Sequence, residues 1–180
     1  LIGYGYASKT FHAPLIAGTP GMTLAAVSSS DATKVHADWP TVPVVSEPKH
    51  LFNDPDIDLI VIPTPNDTHF PLAKAALEAA KHVVVDKPFT VTLSQARELD
   101  ALARSSGRLL SVFHNRRWDS DFLTVKALLS EGTLGEIVYF ESHFDRFRPQ
   151  VRNRWRELAG PGSGIWYDLA PHLLDQTVNL

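Results

Sequence analysis

Short runs of β-branched residues alternate with helix-like segments in the first part of the chain, and this alternation limits the fold more than any other feature. Runs such as LIVI at 59–62 and VVV at 83–85 are apolar at every position. A strand that is apolar on both faces is typical of a parallel sheet covered by helices on both sides. Parallel strands joined through helices by right-handed crossovers form a doubly wound α/β domain. We therefore predict a Rossmann-type, doubly wound parallel sheet over residues 1–115.

The same pattern predicts where the elements of this domain lie. Strands are expected at 1–3 (a short remnant), 23–28, 42–45, 58–62, 82–86 and 109–113. Helices are expected at 11–17, 32–37, 47–53, 68–80 and 94–105, with apolar residues recurring on one face of the last two. Ser94 is predicted to cap the last of these helices, and Gly107 is predicted to end it.

A different organisation follows residue 115. A helix is predicted at 121–131, a turn at 132–135 and a long strand at 136–147, in which apolar and polar residues alternate. A strand with one wet face suits an open, mostly antiparallel sheet. The chain finishes in a helix-like apolar pattern at 166–180, and both ends look cut. We expect residues 116–180 to form an incomplete α+β domain and the sequence to be a fragment of a longer protein.

A glycine turn opens the chain, with Gly3, Gly5 and Ser8 in the sequence GYGYAS. In a nucleotide-binding βαβ unit, the first glycine makes a tight turn and the second lets the backbone approach a pyrophosphate. A third small residue lets helix and strand pack closely; Ser8 stands there and could also donate a hydrogen bond to a phosphate. An incidental glycine-rich turn is the alternative. The strand before the turn and the helix after it favour dinucleotide binding.

The residues after the second predicted strand bear on the choice of cofactor. An acidic residue at that strand end would bind the ribose 2′-hydroxyl and select NAD. The sequence has Ser28 and Ser29 there, with Asp31 a few residues later and Lys34 nearby. Serine hydroxyls and a lysine can bind a 2′-phosphate, so we predict NADP with a slight preference over NAD. Asp31 either caps the next helix or reaches the ribose.

Polar loops follow two of the apolar strands. One contains Pro63, Thr64 and Asn66, and the other is the tripeptide Asp86-Lys87-Pro88. Ligands of open α/β sheets bind at the carboxyl ends of the strands. A lone lysine is usually a surface residue, but Lys87 directly follows a central strand and precedes a proline that restricts the backbone. We predict a ligand-binding role for this lysine.

The last predicted helix carries an Asp–His pair. Asp168 and His172 are four residues apart, which places them on one face of a helix. Asp168 can then orient the imidazole of His172 and raise its basicity, which suits general acid–base catalysis near neutral pH. A capping aspartate and a structural histidine are the alternative, and for an isolated pair they are the more common case.

Composition and charge exclude several other classes of protein. A net charge of −3 gives no field that would attract nucleic acid or an anionic membrane. There is no cysteine, which fits a cytoplasmic location, and no apolar run approaches the roughly 20 residues that span a bilayer. The sequence has no HExxH motif, so we predict no metal site. The arginine-rich stretch that begins at residue 146 is interpreted as a solvated or inter-subunit loop.

The order and spacing of these motifs resemble the Gfo/Idh/MocA oxidoreductases, the family of glucose–fructose oxidoreductase and inositol dehydrogenase. The matching motifs are Gly3-Tyr4-Gly5, Pro65-Asn66 with His69, Asp86-Lys87-Pro88, Asn115-Arg116-Arg117, and Gly164 followed by Asp168 and His172. The family usually has Glu-Lys-Pro where this chain has Asp-Lys-Pro. The resemblance covers essentially the whole chain. It implies an NAD(P)-dependent dehydrogenase or reductase acting on a CH–OH group of a sugar, cyclitol or related polyol.

The resemblance also implies roles for individual residues. His172 would take the hydroxyl proton, Lys87 would stabilise negative charge on the same oxygen, and Asp168 would hold this catalytic pair. Arg117 and Trp155 would contact the substrate, and Asn66 and His69 would line the nicotinamide side of the cleft. Together with the strand-end residues, the expected cofactor contacts are Gly3, Gly5, Ser8, Ser28, Ser29, Lys34, Pro63, Thr64, Asn66, His69, Asp86 and Pro88.

Two other functions are compatible with the same fold. One is a glycoside hydrolase of this family that retains its NAD cofactor and oxidises the sugar only transiently. The other is a non-catalytic, nucleotide-sensing regulatory protein, which the presence of Lys87 and His172 disfavours. The resemblance further implies a homo-oligomer, a dimer or larger, formed through the C-terminal sheet of a longer chain.

Overall fold

The computed structural model describes residues 1–145, 147–150 and 153–180; the side chain of Trp155 also lies outside the described part. The chain divides into two compact units, Leu1–Phe113 and His114–Leu180. No helix among the described residues is long and apolar enough to cross a membrane. Each unit has its own hydrogen-bonded secondary structure.

The first unit alternates strands with helices, as the sequence predicts. Its strands are β1 (Val27–Ser28), β2 (Val44–Val45), β3 (Leu59–Ile62), β4 (His82–Asp86) and β5 (Leu110–Phe113). Its helices are α1 (Ala13–Gly18), which continues directly from a π-helical turn at Ser8–His12, then α2 (Ala32–Asp38), α3 (Lys49–Phe52), α4 (Asn66–Glu78) and α5 (Leu93–Ser106). Each predicted helix of this unit is present, and the predicted bounds of β4 match those observed. The strands predicted at 23–28 and 42–45 form only over Val27–Ser28 and Val44–Val45.

All strand pairings of this unit are parallel. β1 pairs with β2, and β3, β4 and β5 form a second ladder in that order. Ile2 joins the two ladders, because it bridges Ser28 of β1 and donates its backbone N–H to Val61 of β3 over 2.9 Å. The order across the sheet is therefore β2, β1, Ile2, β3, β4 and β5. This is the order of a Rossmann-type sheet, with the predicted remnant strand at its centre.

The core consists of two apolar clusters that lie on opposite sides of the strands. Ile60 and Ile62 of β3 belong to one cluster, together with buried residues of α4 and α5. Val61 belongs to the other, together with buried residues of α1 and α2. Because successive side chains of a strand point to opposite faces, helices cover both faces of the sheet. The sheet is doubly wound, as predicted.

The end of α5 follows the prediction, but its start does not. Gly107 lies in the left-handed region at a φ of 64° and ends the helix. The N-cap is Thr92 rather than Ser94. The Thr92 hydroxyl accepts from the Gln95 N–H, and the Gln95 side chain accepts from the Thr92 N–H, which completes a capping box. Ser94 has Arg97 at the corresponding position, which cannot accept such a bond.

The second unit contains helices and no strand among its described residues. It comprises a 3₁₀-helix at Asn115–Trp118, α6 (Ser120–Ser130), a 3₁₀-helix at Trp155–Glu157 and α7 (Gly164–Asn179). The two predicted helices are present, but the strand predicted at 136–147 is wrong for residues 136–145 and 147, which are irregular. A strand is held by backbone hydrogen bonds to a neighbouring strand, and the described part of this unit offers no neighbour. The predicted open antiparallel sheet is therefore not formed there.

Candidate functional site

The glycine turn follows Ile2 at the carboxyl end of the central strand position. Gly3 has a φ of +79°, and a Cβ at this residue would lie 3.3 Å from Cγ2 of Thr64. Both the conformation and the space therefore favour glycine at residue 3. Gly5 differs, because a Cβ there would meet no atom within 4 Å. The turn is held tight at Gly3 and leaves open space at Gly5, which fits the approach of a dinucleotide phosphate to the backbone.

Ser8 supports this turn from behind. The residue is completely buried, and its hydroxyl donates to the Gly3 carbonyl oxygen over 2.9 Å. A hydroxyl has a single proton, so this bond leaves none for a phosphate. The predicted close packing of Ser8 is present, but its predicted hydrogen bond to phosphate is replaced by the bond that closes the turn.

The end of β1 resolves the two alternatives for Asp31. Its carboxylate caps α2 by accepting from the Lys34 N–H, and it lies 3.4 Å from the Lys34 ammonium. The Ser29 hydroxyl accepts from the Asp31 N–H and donates to the Asp31 carbonyl. Asp31 is thus a helix cap with a lysine partner. Ser28, which is buried, together with Ser29 and Lys34, stays a predicted cofactor contact.

Lys87 lies at the same edge of the sheet as the glycine turn. It directly follows β4, the middle strand of its ladder, and a cis peptide bond joins it to Pro88. Its backbone N–H donates to Oδ1 of Asp86 over 2.6 Å. Because the strands are parallel, the loops after Ile2, β3 and β4 all leave from the carboxyl edge, where ligands of such sheets bind.

The loop after β3 leads straight into α4. Pro63 and Thr64 are half-buried, and Asn66, which is 4% exposed, is the first residue of the helix. The Thr64 hydroxyl lies 2.6 Å from that of Thr68, which fixes the side chain against the helix. Pro63, Thr64 and Asn66 stay predicted cofactor contacts, as do Asp86 and Pro88 of the next loop.

His69 has a different place from the one predicted. It is completely buried, so it does not line a cleft. Its Nδ1 lies 2.8 Å from the Pro88 carbonyl oxygen and its Nε2 lies 2.9 Å from the Thr64 carbonyl oxygen. The ring thus connects the loop after β3 to the loop after β4. Both ring nitrogens face backbone atoms, so neither is directed to a cofactor.

His12 is a site residue that sequence reasoning missed. It is the last residue of the π-helical turn, is 3% exposed, and its Nε2 lies 3.3 Å from Oδ2 of Asp86. Its ring also packs against Phe113, with 4.3 Å between the ring centroids. The partner lies far along the chain, and nothing local in the sequence distinguishes this histidine from a surface one.

In the second unit, α7 carries the predicted Asp–His pair on one face. His172 is 6% exposed and its ring meets the edge of Phe144, with 6.3 Å between the centroids. Asp168 lies 3.4 Å from Nε of Arg156 and 4.0 Å from Nη2 of Arg154. The catalytic role of the pair stays a prediction. The arginine neighbours of Asp168 were not foreseen, because the arginine-rich stretch was interpreted as a solvated or inter-subunit loop.

These arginines line a cavity of about 530 Å³ within the second unit. Arg154 binds Glu157 through two contacts of 2.5 and 2.7 Å, and Arg148 approaches the same carboxylate at 3.3 Å. The hydrogen bond from Arg154, more than any other interaction, lowers the pKa of Glu157. The cavity wall is therefore an ion-pair network in which Asp168 takes part.

Arg117 is engaged by the protein rather than held open for substrate. Its Nε donates to Oδ2 of Asp175 over 3.0 Å, and its Nη2 donates to the other carboxylate oxygen. Such a two-pronged pair fixes the guanidinium against α7. The ion pair holds Arg117 in place, and its contact with the substrate stays a prediction. Trp155 begins a 3₁₀-helix, but its side chain, and with it the predicted substrate contact, lies outside the described residues.

The described residues contain no group of side chains that could form a metal centre. Within residues 1–145, 147–150 and 153–180, no three His, Asp or Glu side chains are placed to hold a metal ion. What the described residues provide is a glycine turn with open space at Gly5, a lysine at the same sheet edge, and a helix with an Asp–His pair. The first two are parts of a dinucleotide-binding domain, and the Asp–His pair stays a predicted acid–base pair.

The fold and the turn define the class as an NAD-binding Rossmann domain followed by a second, smaller unit. Residues 1–114 match the family described as an oxidoreductase family with an NAD-binding Rossmann fold, and residues 122–180 match the GFO/IDH/MocA C-terminal domain. The chain belongs to the GFO/IDH/MocA oxidoreductase family.

Individual relatives agree with this assignment. YdgJ of Escherichia coli (strain K12), an uncharacterized oxidoreductase, is 87% identical over 100% of this chain and 52% of its own length. The scyllo-inositol 2-dehydrogenase (NADP(+)) IolW of Bacillus subtilis (strain 168) is 41% identical over 100% of this chain and 50% of its own. The solved structure of YPO2259 from Yersinia pestis has a TM-score of 0.92 at 76% identity, covering 98% of this chain and 50% of that one. The chain spans about half the length of the curated relatives it matches.

Proposed function

We propose that the protein is a nicotinamide-dependent oxidoreductase that moves a hydride between NADP(H) and the CH–OH carbon of a sugar, cyclitol or related polyol. One observation carries the proposal: the glycine turn, open at Gly5, and Lys87 lie at the same edge of a parallel sheet. A dinucleotide bound at that edge would supply the hydride chemistry, and a lysine there can stabilise negative charge on the oxygen of the reacting carbon.

The preference for NADP rests on the end of β1. The Asp31 carboxylate is already used as the cap of α2 and as the partner of Lys34, so it competes poorly for a ribose 2′-hydroxyl. The side chain of Lys34 is 71% exposed, and its ammonium offers a positive charge to a 2′-phosphate. The NADP(+) named for IolW, at 41% identity, supports the same choice.

The chemistry divides between a proton and a hydride. The nicotinamide, when bound, supplies the hydride acceptor or donor. In the oxidation direction, a ring nitrogen of His172 takes the hydroxyl proton as the carbon becomes a carbonyl, and it returns that proton in reduction. The Lys87 ammonium donates a hydrogen bond to the substrate oxygen and stabilises its negative charge. Asp168, held near Arg156, orients the imidazole from one helical turn away.

Titration of the protein with NADPH and with NADH, followed by nicotinamide fluorescence, tests the cofactor proposal. We expect tighter binding of NADPH, and we expect Lys34→Ala to reduce this advantage without changing NADH binding. Lys49→Ala is the matched control, since Lys49 is an equally exposed surface lysine of the same unit, paired with Glu47. Binding of neither nucleotide would refute the oxidoreductase proposal.

A substrate screen with the preferred cofactor tests the proposed substrate class and the proposed reaction. scyllo-Inositol is the first compound, because it is named for the IolW relative, and other cyclitols and sugars follow. For an oxidoreductase, we expect one molecule of free cofactor to be reduced for each molecule of substrate oxidised, or oxidised for each molecule of substrate reduced. Cleavage of a glycosidic bond with no net change in cofactor would instead indicate a glycoside hydrolase that retains its cofactor.

A further inference from the structure

Two buried histidines contact the Asp86–Lys87–Pro88 segment from its opposite ends. His12 approaches the Asp86 carboxylate at 3.3 Å, and His69 approaches the Pro88 carbonyl oxygen at 2.8 Å. Both rings are buried, at 3% and 0% exposure. The chemistry proposed above uses neither of them, although Lys87 lies between their contacts.

His69 is bound to the segment through its Nδ1. Pro88 is buried, and the contact between its carbonyl oxygen and Nδ1 is closed to water. A buried carbonyl needs a protein donor, whereas the Thr64 carbonyl at Nε2 is only partly buried and can use water. A ring proton on Nδ1 therefore meets the demand of the buried carbonyl.

His12 fixes the other end through Asp86. One carboxylate oxygen of Asp86 accepts from the Lys87 N–H at 2.6 Å, and the other faces Nε2 of His12. The short aspartate side chain keeps its carboxylate beside the next backbone N–H. The contact between His12 and Phe113 holds the ring in place. Both oxygens of the carboxylate are thus engaged, and the backbone of Lys87 is held on the side that leaves β4.

We propose that His12 and His69 are positioning residues that hold the backbone on either side of Lys87, with His69 donating a hydrogen bond from Nδ1 to the Pro88 carbonyl oxygen. Neither residue contacts the reacting atoms. Their effect is to fix the direction in which the lysine side chain leaves the edge of the sheet.

Nuclear magnetic resonance of the protein labelled with ¹⁵N-histidine tests this hydrogen bond without any substrate. We expect His69 to show a protonated Nδ1 whose hydrogen exchanges slowly with water. His69→Gln identifies the signal by its loss, and exposed His50 provides the comparison with a freely exchanging ring. A proton on Nε2 alone, or a ring proton of His69 that exchanges as fast as that of His50, overturns the assignment.

Amide hydrogen exchange tests the positioning. We expect His69→Leu and His12→Leu each to speed exchange of the peptide 86–91 by about tenfold, since each loses a contact that holds it. Exchange in α5 should stay unchanged, and His50→Gln should change neither region. His69→Gln and His12→Gln keep a hydrogen-bond donor, so we expect the peptide 86–91 to be partly protected from exchange in these variants. They replace the leucine variants in the experiment if those fail to fold. Unchanged exchange at 86–91, or equal acceleration throughout the unit, contradicts the proposal.

The kinetic consequence rests on the proposed function. In His69→Gln we expect turnover to fall by about 10- to 100-fold, as for a misplaced catalytic group, and to fall by a larger factor than the nucleotide dissociation constant rises. An equal loss of nucleotide binding and turnover would indicate a merely structural role. If Lys87→Met keeps full turnover, the proposed function fails, but the exchange and magnetic resonance results still decide whether the two histidines hold the segment.

Discussion

The first unit buries its apolar residues, and the second exposes most of those it has. Among the described residues of 114–180, the buried apolar side chains are Phe122 and Ala170, whereas the first unit has two extended clusters. The second unit instead exposes residues such as Val138 at 90% and Phe147 at 89%. The comparison teaches that an alternating apolar pattern gives a strand only where a neighbouring strand pairs with it.

The units also differ in how they hold their polar residues. In the first unit, the residues near the glycine turn and Lys87 are fixed by backbone carbonyls and short hydrogen bonds, as at Ser8 and His69. In the second, the corresponding support is an ion-pair network around Asp168 and Glu157. The first kind of support depends little on salt, and the second is weakened by it.

The largest expected effect is on turnover, for which the proposed function uses Lys87 and His172. Lys87→Met removes the charge that stabilises the substrate oxygen, and His172→Asn removes the proton acceptor. Each should lower kcat by about 10²- to 10⁴-fold, measured by cofactor absorbance with the substrate found in the screen. Lys49→Met is the control for loss of a surface lysine. If either variant keeps wild-type turnover, the role proposed for that residue is wrong.

The next effect separates the cores of the two units. Ile60→Ala empties a position of 0% exposure in β3 and should reduce the free energy of unfolding by about 2–5 kcal/mol. Val138→Ala, at 90% exposure, should change it by less than about 0.5 kcal/mol. Urea unfolding followed by circular dichroism measures both. A comparable loss in the two variants would mean that residues around 138 are packed in solution.

A smaller effect compares glycines with similar backbones. Gly3 and Gly135 have φ values of +79° and +68°, so an alanine at either carries a strain of roughly 1–2 kcal/mol. At Gly3 the added Cβ also approaches Thr64 at 3.3 Å, whereas at Gly135 it meets nothing. We expect Gly3→Ala to cost more stability and to weaken nucleotide binding, measured by urea midpoint and fluorescence titration. Equal nucleotide binding in both variants would remove the turn from the cofactor site.

The smallest effect concerns the starts of two helices. Thr92→Ala removes a capping box and should cost about 1 kcal/mol. Ser163 stands at the N-cap of α7 but makes no capping hydrogen bond there, so Ser163→Ala should cost less than about 0.5 kcal/mol. The free energies of unfolding in urea give both values. If the two losses are alike, side-chain capping does not distinguish the helices of the two units.

Much of the fold could be predicted because its signals are local. The apolar run of β4 and the glycine after α5 lie within the elements they define, and both predictions are confirmed. The strand at 136–147 failed because its outcome depends on a partner that the pattern itself does not contain. The prediction of the cap of α5 was wrong because Thr92 and Ser94 both carry a hydroxyl that can cap a helix. The side chain three residues after each one decides between them, and only Thr92 has a glutamine there, Gln95.

The candidate site was predictable in its motifs but not in its contacts. The turn at Gly3 and Gly5 could be located from spacing alone, and its geometry fits. The partners of Arg117 and His12 could not be found in this way, since Asp175 and Asp86 are distant in sequence and become neighbours only in the folded chain. His69 illustrates the same limit, because a histidine in a motif gives no sign of whether its ring faces a ligand or the backbone.

The position of Ile2 between the two ladders has a consequence for the order of folding. Ile2 joins β1 to β3 by bridging Ser28 and donating to the Val61 carbonyl. Val61 is synthesised much later than Ile2. Contacts between residues so far apart form slowly, because a long loop must first close. On the ribosome, the two ladders of this sheet would therefore remain separate until β3 has emerged and the Val61 carbonyl can accept the hydrogen bond from Ile2.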